Sequence, residues 1–259
     1  MTLVVSEAVV LHAFDYLESS RILRLITRDW GIQSVLARGA RSSRKRFGTS
    51  LDVFVQGTAE YSTRPGRDLS TLTAFDATRA RPELVAGISR FTGACALAEL
   101  ALRFSSDEPH PGLFDAFING LDMIGVAPPE HTVSATLAAA WHIVGELGFA
   151  PALDVCANCH AQLPDEARTP FSHVAGGALC DRCAQLVRGA RSIPLEARKA
   201  LAAWLAGSPM ELGSASEGRA HQRLLREFLD QHLSEGKRLT AYAMWEREEL
   251  SISDVPTNH

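Results

Sequence analysis

The sequence feature that most constrains the fold is a pair of Cys-x-x-Cys motifs, "CANC" and "CDRC", separated by twenty residues. They contain four of the five cysteines in the chain: Cys156, Cys159, Cys180 and Cys183. Each motif turns two sulfurs toward one point, so two motifs supply the four thiolates that complete a tetrahedral Zn²⁺ site. Because no coordination position remains for water, the metal is expected to be structural. We therefore predict one structural Zn²⁺ per chain, in a motif at about residues 150–190.

Three alternatives to a zinc site remain open for the four cysteines. A disulfide framework needs an oxidising compartment, whereas we expect this chain in the cytoplasm, which keeps thiols reduced. A thioredoxin-like redox motif needs a strand followed by a helix, and the residues around 156–183 lack that pattern. The third alternative is four incidental thiols in a surface loop. The fifth cysteine, Cys95, occupies an apolar position of a predicted helix, where packing is the expected role.

The chain has no predicted targeting or membrane segment. Its first residues carry Glu7 and Asp15 and no basic leader, which is untypical of a signal peptide. No stretch of eighteen uncharged apolar residues occurs, so no membrane span or membrane partner is predicted. We expect a cytoplasmic, nucleoid-associated protein.

Charge is distributed unevenly along the chain. The formal net charge is −4, which by itself argues against a nucleic-acid partner. Residues 1–80, however, hold eleven Lys/Arg and eight Asp/Glu, and the window from Arg21 to Arg46 holds eight cations against Asp29 alone. Because the local field decides which polyanion can approach, this concentration favours an anionic partner for the first part of the chain.

The first eighty residues have the pattern of a small β-barrel. Runs rich in β-branched and aromatic residues, separated by turn residues, predict five strands at residues 4–16, 21–26, 32–37, 51–62 and 69–75. Five short strands in this length are typical of a closed barrel such as the OB-fold. Phe14, Phe54 and Phe75 are expected in its core.

From Arg81 onward the apolar spacing becomes helical. Helices are predicted at residues 82–104, 113–124, 129–147, 194–206 and 217–233. The predicted fold class is therefore α+β and multidomain: a five-stranded OB-fold barrel, followed by an α-helical domain that carries the four-cysteine insertion. We place the domains at residues 1–80 and 81–259.

A dense basic segment lies between the third and fourth predicted strands. Its cations are Arg38, Arg41, Arg44, Lys45 and Arg46, with Phe47 beside them and Trp30 in the preceding turn. Phosphates need positive charge along a groove, and unpaired bases need aromatic faces on which to stack. The segment is therefore a candidate nucleic-acid contact. A solvated loop that only keeps the protein soluble is the alternative.

Enzymatic motifs are missing from the sequence. It contains no GxxxxGK[ST] phosphate loop, no HExxH helix and no G-x-S-x-G elbow. The histidines His12, His142, His221 and His232 show no spacing that suggests a catalytic partner. We predict a protein without enzymatic activity. A zinc-containing protein–protein adaptor and a metal-dependent enzyme acting on nucleic acid remain the alternatives.

Several segments resemble the bacterial DNA repair protein RecO family. They are "VLARGARSSRKRF" (residues 35–47), "GELGFAPALDVCANC" (145–159), "GGALCDRC" (176–183) and "FLDQHLSEGKRLTAY" (228–242). The resemblance spans nearly the whole chain, and the segment that leads into the first Cys-x-x-Cys motif is its most distinctive part.

This resemblance implies a recombination mediator of the RecF-type pathway. Such a protein binds single- and double-stranded DNA, anneals complementary strands and helps a recombinase load onto single strands covered by single-strand-binding protein (SSB). The implied partners are RecR and the C-terminal tail of SSB. DNA contact would fall on the five cations of the basic segment, with Arg21, Arg24 and Arg28 as neighbours.

Reversing the charge of Arg44, Lys45 and Arg46 together should weaken binding to single-stranded DNA. Each phosphate contact that is lost should reduce the slope of log affinity against log salt by about 0.7. Fluorescence anisotropy of a labelled oligonucleotide across salt concentrations measures both quantities. An unchanged affinity and slope would contradict the assignment of these residues to a DNA contact.

Overall fold

The computed structural model describes residues 2–40, 47, 51–64, 66, 68–233 and 238–253, and the side chains of those up to residue 247. The chain divides into two compact units, Met1–Val126 and Ala127–His259.

The first unit begins with a closed five-stranded barrel. Its strands are β1 (Thr2–Tyr16), β2 (Ser20–Thr27), β3 (Gly31–Ala37), β4 (Gln56–Thr63) and β5 (Leu69–Arg79), in the order β1-β2-β3-β5-β4. β1 closes the barrel by pairing with both β2 and β4, and β3 runs parallel to β5. Apolar side chains from all five strands fill the interior, as the alternating sequence pattern predicts.

A bulge in β1 changes which side chains face the barrel interior. Val4, Ala8 and Val10 are buried at alternate positions, but the pairing with β2 shifts between Val10 and His12. An extra residue in one strand exchanges the two faces beyond it. Phe14 is consequently 43% exposed, so its predicted place in the core is wrong. Phe75 belongs to the barrel core as expected, whereas Phe54 is buried outside that core, against Phe91.

Three helices follow the barrel in the described part of the first unit: α1 (Pro82–Val85), α2 (Ile88–Phe104) and α3 (Pro111–Val126). The continuous helix predicted at 82–104 is interrupted at Gly87, which adopts an extended conformation as the N-cap of α2. The rings of Phe54 and Phe91 meet edge to face, with centroids 6.1 Å apart. These contacts cover part of the outer surface of the barrel.

Arg81, at the junction between strands and helices, is buried, and each of its three guanidinium nitrogens donates a hydrogen bond. Nε donates to Asp122 of α3 (2.7 Å), Nη1 to the carbonyl of Phe54 (3.1 Å) and Nη2 to the side chain of Gln56 (2.8 Å). Arg79 also pairs with Asp122, at 2.7 Å. The guanidinium therefore joins the barrel to α3 within the first unit.

The second unit is mainly helical and contains a small sheet. A 3₁₀ turn (Pro129–His131) precedes α4 (Thr132–Glu146), and the later helices are α5 (Asp181–Ala184), α6 (Leu195–Leu205), α7 (Ala215–His232) and α8 (Thr240–Ser253). The sheet has the order β7-β6-β8, formed by β6 (Arg168–Ser172), β7 (Gly177–Ala178) and β8 (Arg191–Pro194). Trp141 of α4 packs on Phe228 of α7, with ring centroids 5.3 Å apart.

The fold class is the one that the sequence predicts: an N-terminal five-stranded barrel, then helices with a four-cysteine cluster among them. The division into domains at residue 80 stays a prediction; strands give way to helices there, whereas the compact units meet at residue 126. Within the described residues, no helix is both long and apolar enough to cross a membrane.

We expect Arg81→Met to destabilise the first unit by about 3 kcal/mol, because breaking a buried, hydrogen-bonded ion pair leaves its partners unsatisfied. Hydrogen exchange of the β4 and β5 amides, followed by mass spectrometry, measures the loss. Arg79→Met is the control: its exposed ion pair should contribute less than about 1 kcal/mol. Equal effects of the two substitutions would contradict the role given to Arg81.

Candidate nucleic-acid interface and metal centre

The four cysteines of the two motifs come together in one cluster. The sulfurs of Cys156, Cys159, Cys180 and Cys183 all lie within 4.8 Å of one another. The Sγ atoms of Cys159 and Cys180 are 3.8 Å apart. A tetrahedral site with Zn–S bonds of about 2.3 Å requires sulfurs about 3.8 Å apart. The donor set therefore fits a four-coordinate metal ion, and the sulfurs are not arranged as disulfides.

Backbone hydrogen bonds shape both cysteine turns. In the first turn the amide of His160 donates to the carbonyl of Cys156 (2.9 Å), and His160 adopts a left-handed conformation with φ of 60°. In the second turn Cys180 is the N-cap of α5, which carries Cys183. The amide of Ala157 donates to the carbonyl of Ala178 (2.8 Å) and so links the two turns.

Gly177 allows the second turn to approach the segment that leads into the first. It pairs with Ser172 in the sheet and forms a bridge with Ala152. Its φ is 153°, and a Cβ at this position would collide with the backbone of Ala152. A glycine is therefore required here so that the two cysteine-bearing segments can pack together.

The thiols of the cluster differ in acidity, as expected where four ionisable groups share one small volume. Burial raises the pKa of Cys156, but hydrogen bonds from the backbone of Cys180, Cys159 and Asn158 outweigh it and lower the value to about 6. The Asn158 amide lowers the pKa of Cys183, yet contacts with the neighbouring cysteines raise it to about 11. Four thiolates at these distances repel one another, and a bound cation removes that repulsion.

The predicted DNA-contacting arginines of the barrel fall into two groups. Arg21 pairs with Asp15 (3.3 Å) and Asp52 (3.6 Å). Arg28 pairs with Glu7 (3.0 Å) and Asp115 (2.6 Å), and its guanidinium lies 4.7 Å from the Phe114 ring centroid. Its hydrogen bonds to these carboxylates raise its pKa further above the ordinary value. Much of the charge on these two arginines is therefore neutralised.

Arg24 and Arg38 differ from this pair. Neither makes an ion pair with any residue that the structure describes, and Nε of Arg24 is buried without a hydrogen-bond partner there. Arg24 lies opposite His12 of β1 and Ser34 of β3. Arg38 is exposed directly after β3, at the beginning of the basic segment. The remaining predicted contacts, Arg41, Arg44, Lys45 and Arg46, lie outside the described residues.

Aromatic side chains of β1 lie on the same outer surface of the barrel as Arg24. His12, Phe14 and Tyr16 follow one another at alternate positions of β1; Phe14 and Tyr16 are 43% and 41% exposed. The rings of His12 and Phe14 are 5.6 Å apart. Phe14 lies opposite Ile22, which in turn lies opposite Leu36 of β3. We call this surface, formed by His12, Phe14, Tyr16, Ile22, Arg24, Leu36 and Arg38, the barrel face.

The aromatic residues noted in the sequence have different positions. Phe47, adjacent to the basic cations in sequence, is buried in the barrel core and offers no face to a base. Trp30 is 46% exposed in the turn between β2 and β3. Periodicity alone missed Phe14 and Tyr16 because the bulge in β1 reverses the alternation before them.

Comparison with known proteins identifies the family. Residues 1–81 match the family model described as "Recombination protein O N terminal", and residues 86–240 match "Recombination protein O C terminal". The chain is 38% identical over 240 residues to the DNA repair protein RecO of Anaeromyxobacter dehalogenans strain 2CP-C, covering 90% of this chain and 92% of the relative. The corresponding identities are 37% for Anaeromyxobacter sp. strain K and 36% for strain Fw109-5, with similar coverage.

The chain is thus a two-part protein of the DNA repair class, a strand barrel followed by helices and a four-cysteine cluster. It belongs to the RecO family. The resemblance seen in the sequence is confirmed, and with it a role in DNA repair and recombination. The family consists of DNA repair mediators rather than enzymes, which agrees with the predicted lack of enzymatic activity.

Replacing Cys180 by Ser should release bound metal and increase amide exchange in residues 152–183, because one ligand of four is lost and this region has a small core of its own. Native mass spectrometry measures the metal, and hydrogen exchange measures the local opening. The barrel strands should exchange as in the unmodified chain. Cys95→Ser, outside the cluster, is the control and should retain the metal. Metal loss without faster exchange would argue against a structural role.

Proposed function

We propose that the chain binds DNA strands on the barrel face and on the adjoining basic segment, and that it anneals complementary strands. The observation that carries this proposal is the combination, on one exposed surface, of a row of aromatic rings with two arginines that have no acidic partner among the described residues. We propose that the five-stranded barrel is of the OB type, an architecture that commonly binds oligonucleotides across strands 2 and 3.

The chemistry of the barrel face suits a single strand. Guanidinium groups bind phosphates, and aromatic rings stack with bases of any sequence. Arg24 and Arg38 would hold the backbone, while Phe14 and Tyr16 offer rings to the bases. A hollow of about 400 Å³ beside Arg38, lined also by Asp68, Leu69 and Ser70, continues this surface toward β5. Arg21 and Arg28 would contribute mainly to folding, because their charges are balanced by carboxylates.

Annealing follows from electrostatics. Two strands repel each other, and a protein that holds both by their phosphates lowers that barrier through counterion release. No covalent bond has to be broken, so a nucleotide-binding site is not required for this step.

The wider role that we propose is that of a mediator in the RecF-type pathway. The chain would help a recombinase load onto single strands covered by SSB, with RecR and the SSB C-terminal tail as protein partners. Family membership supports these partners. The metal in the sulfur cluster is proposed to be Zn²⁺, because four thiolates in a tetrahedral arrangement are its usual structural ligands.

Phe14→Ala should weaken binding of single-stranded DNA by about 1–3 kcal/mol, the usual contribution of one stacked base. Arg24→Gln should weaken it too and reduce the salt slope by about 0.7. Phe149→Ala is the matched control, since this ring is 38% exposed but belongs to the second unit. Anisotropy titrations with an oligonucleotide separate the three variants. Equal losses of affinity in Phe14→Ala and Phe149→Ala would contradict the assignment of DNA binding to the barrel face.

Strand annealing, measured with and without SSB across salt concentrations, tests the wider role. We expect the unmodified chain to anneal SSB-covered strands, and we expect added salt to slow it. A pure protein that binds no oligonucleotide even at low salt would favour the protein–protein adaptor instead.

A further inference from the structure

A cleft of about 510 Å³ in the second unit is lined by an unusual number of arginines. It lies between α7 and α8, which pack together within this unit. Three of its arginines come from α7 and two from the segment that includes α8: Arg219, Arg223, Arg226, Arg238 and Arg247. Among the described residues, the acidic side chains of the lining are those of Asp230 and Glu246. The described part of the lining therefore has a formal charge of +3 in a chain whose net charge is −4.

The arginines of α7 form a row along the cleft. Arg219, Arg223 and Arg226 are four and three residues apart, so they share one face of the helix at steps of about 6 and 4.5 Å along its axis. Arg226 is held by both carboxylate oxygens of Glu246, at 2.6 and 2.8 Å. By contrast, Arg223 and Arg238 are exposed and have no carboxylate partner among the described residues. Two positive charges thus face the cleft without neutralisation from within the described chain.

A buried polar side chain in the cleft also lacks partners. Gln222 is 1% exposed, and neither its amide nitrogen nor its amide oxygen has a hydrogen-bond partner in the described part of the chain. The hydroxyl of Tyr242 donates to the backbone carbonyl of Gln222 (2.7 Å), not to its side chain. Because an unsatisfied buried amide is costly, a ligand that accepts a hydrogen bond from it would be stabilised.

The chemistry of the lining distinguishes between anionic ligands. An acidic peptide with apolar anchors needs an apolar floor. The apolar side chains of the described lining are Leu239, Tyr242 and Ala243, and the first two offer little surface because they are 5% and 1% exposed. A sugar–phosphate backbone needs a row of fork-shaped donors and few apolar contacts, which Arg219, Arg223 and Arg226 supply. The observations therefore favour phosphodiesters over a peptide.

We propose that the cleft between α7 and α8 is a second nucleic-acid site, which binds the phosphate backbone of a strand independently of the barrel face. The inference deepens the proposed annealing function and rests on it. A chain with one strand on the first unit and another on the second brings the two together without a second protein molecule.

Two labelled, non-complementary oligonucleotides test the inference with the full-length chain. The first is bound at saturation, and the second is then titrated while energy transfer between the labels is recorded. The double variant Arg223→Glu with Arg238→Glu should retain the first strand within about twofold, lose about tenfold in affinity for the second, and show a salt slope lower by about 1.4 for that strand. Arg223→Lys, which keeps the charge, should bind the second strand nearly as the unmodified chain does.

A matched control separates the cleft from net charge. Arg188 and Lys199 are exposed cations of the same unit that lie outside the cleft, so Arg188→Glu with Lys199→Glu makes the same change in charge. This control should bind both strands normally. Equal losses in the control and the cleft variant would overturn the proposal. So would failure of the unmodified chain to bind a second strand, or displacement of that strand by an acidic peptide at matched ionic strength but not by competing oligonucleotide.

Failure of the proposed function gives a different result. If the barrel face does not bind DNA, Phe14→Ala leaves the first strand unaffected. The double variant Arg223→Glu with Arg238→Glu would still weaken binding of a strand in the cleft. Circular dichroism of each variant confirms that α7 and α8 remain folded.

Discussion

The buried guanidinium of Arg81 is the interaction on which the arrangement of the first unit depends. It binds Phe54 and Gln56 at the end of the long β3–β4 connection and Asp122 on α3. The outward-facing residues Val9, Ile26 and Ile32 are buried although they lie outside the barrel interior, on strands of which β1 and β2 contact α2. These buried residues occupy one end of the outer surface formed by β1, β2 and β3. The other end, where His12 to Tyr16 lie, stays exposed beside the start of the basic segment.

The charges of the barrel follow the same division. Glu7, Asp15, Asp52 and Asp115 neutralise arginines that hold the unit together. Arg24 and Arg38 have no such partner in the described chain. From the sequence alone, all of these arginines are predicted to contact DNA, because the sequence does not show which carboxylates lie close to each arginine in the fold. The ion pairs in the structure thus distinguish arginines that stabilise the unit from arginines that are available to bind a phosphate.

Sequence reasoning succeeded where a local pattern determines the outcome. The two Cys-x-x-Cys motifs predicted the sulfur cluster, because two short turns that place four thiols together need little information from elsewhere. The existence of the five strands and most helix positions followed from periodicity and turn residues, but the fourth strand begins at Gln56, because residues 51–54 form turns rather than the predicted strand. It failed where a single residue changes the register: the bulge before His12 moved Phe14 to the surface, and Gly87 divided a predicted helix. The small sheet β6–β8 was also missed, since its strands are too short to show alternation.

The row of arginines on α7 illustrates a different limit. Arg219, Arg223 and Arg226 have the spacing of one helical face, which on most surface helices means only solvated charge. The neighbouring α8 changes that interpretation, because its residues line the same cleft as the row, together with the unpartnered amide of Gln222. A negative net charge does not conflict with two cationic sites, since screening restricts each field to about 8–10 Å at moderate salt. Each unit can therefore attract a strand of its own while the chain as a whole remains acidic.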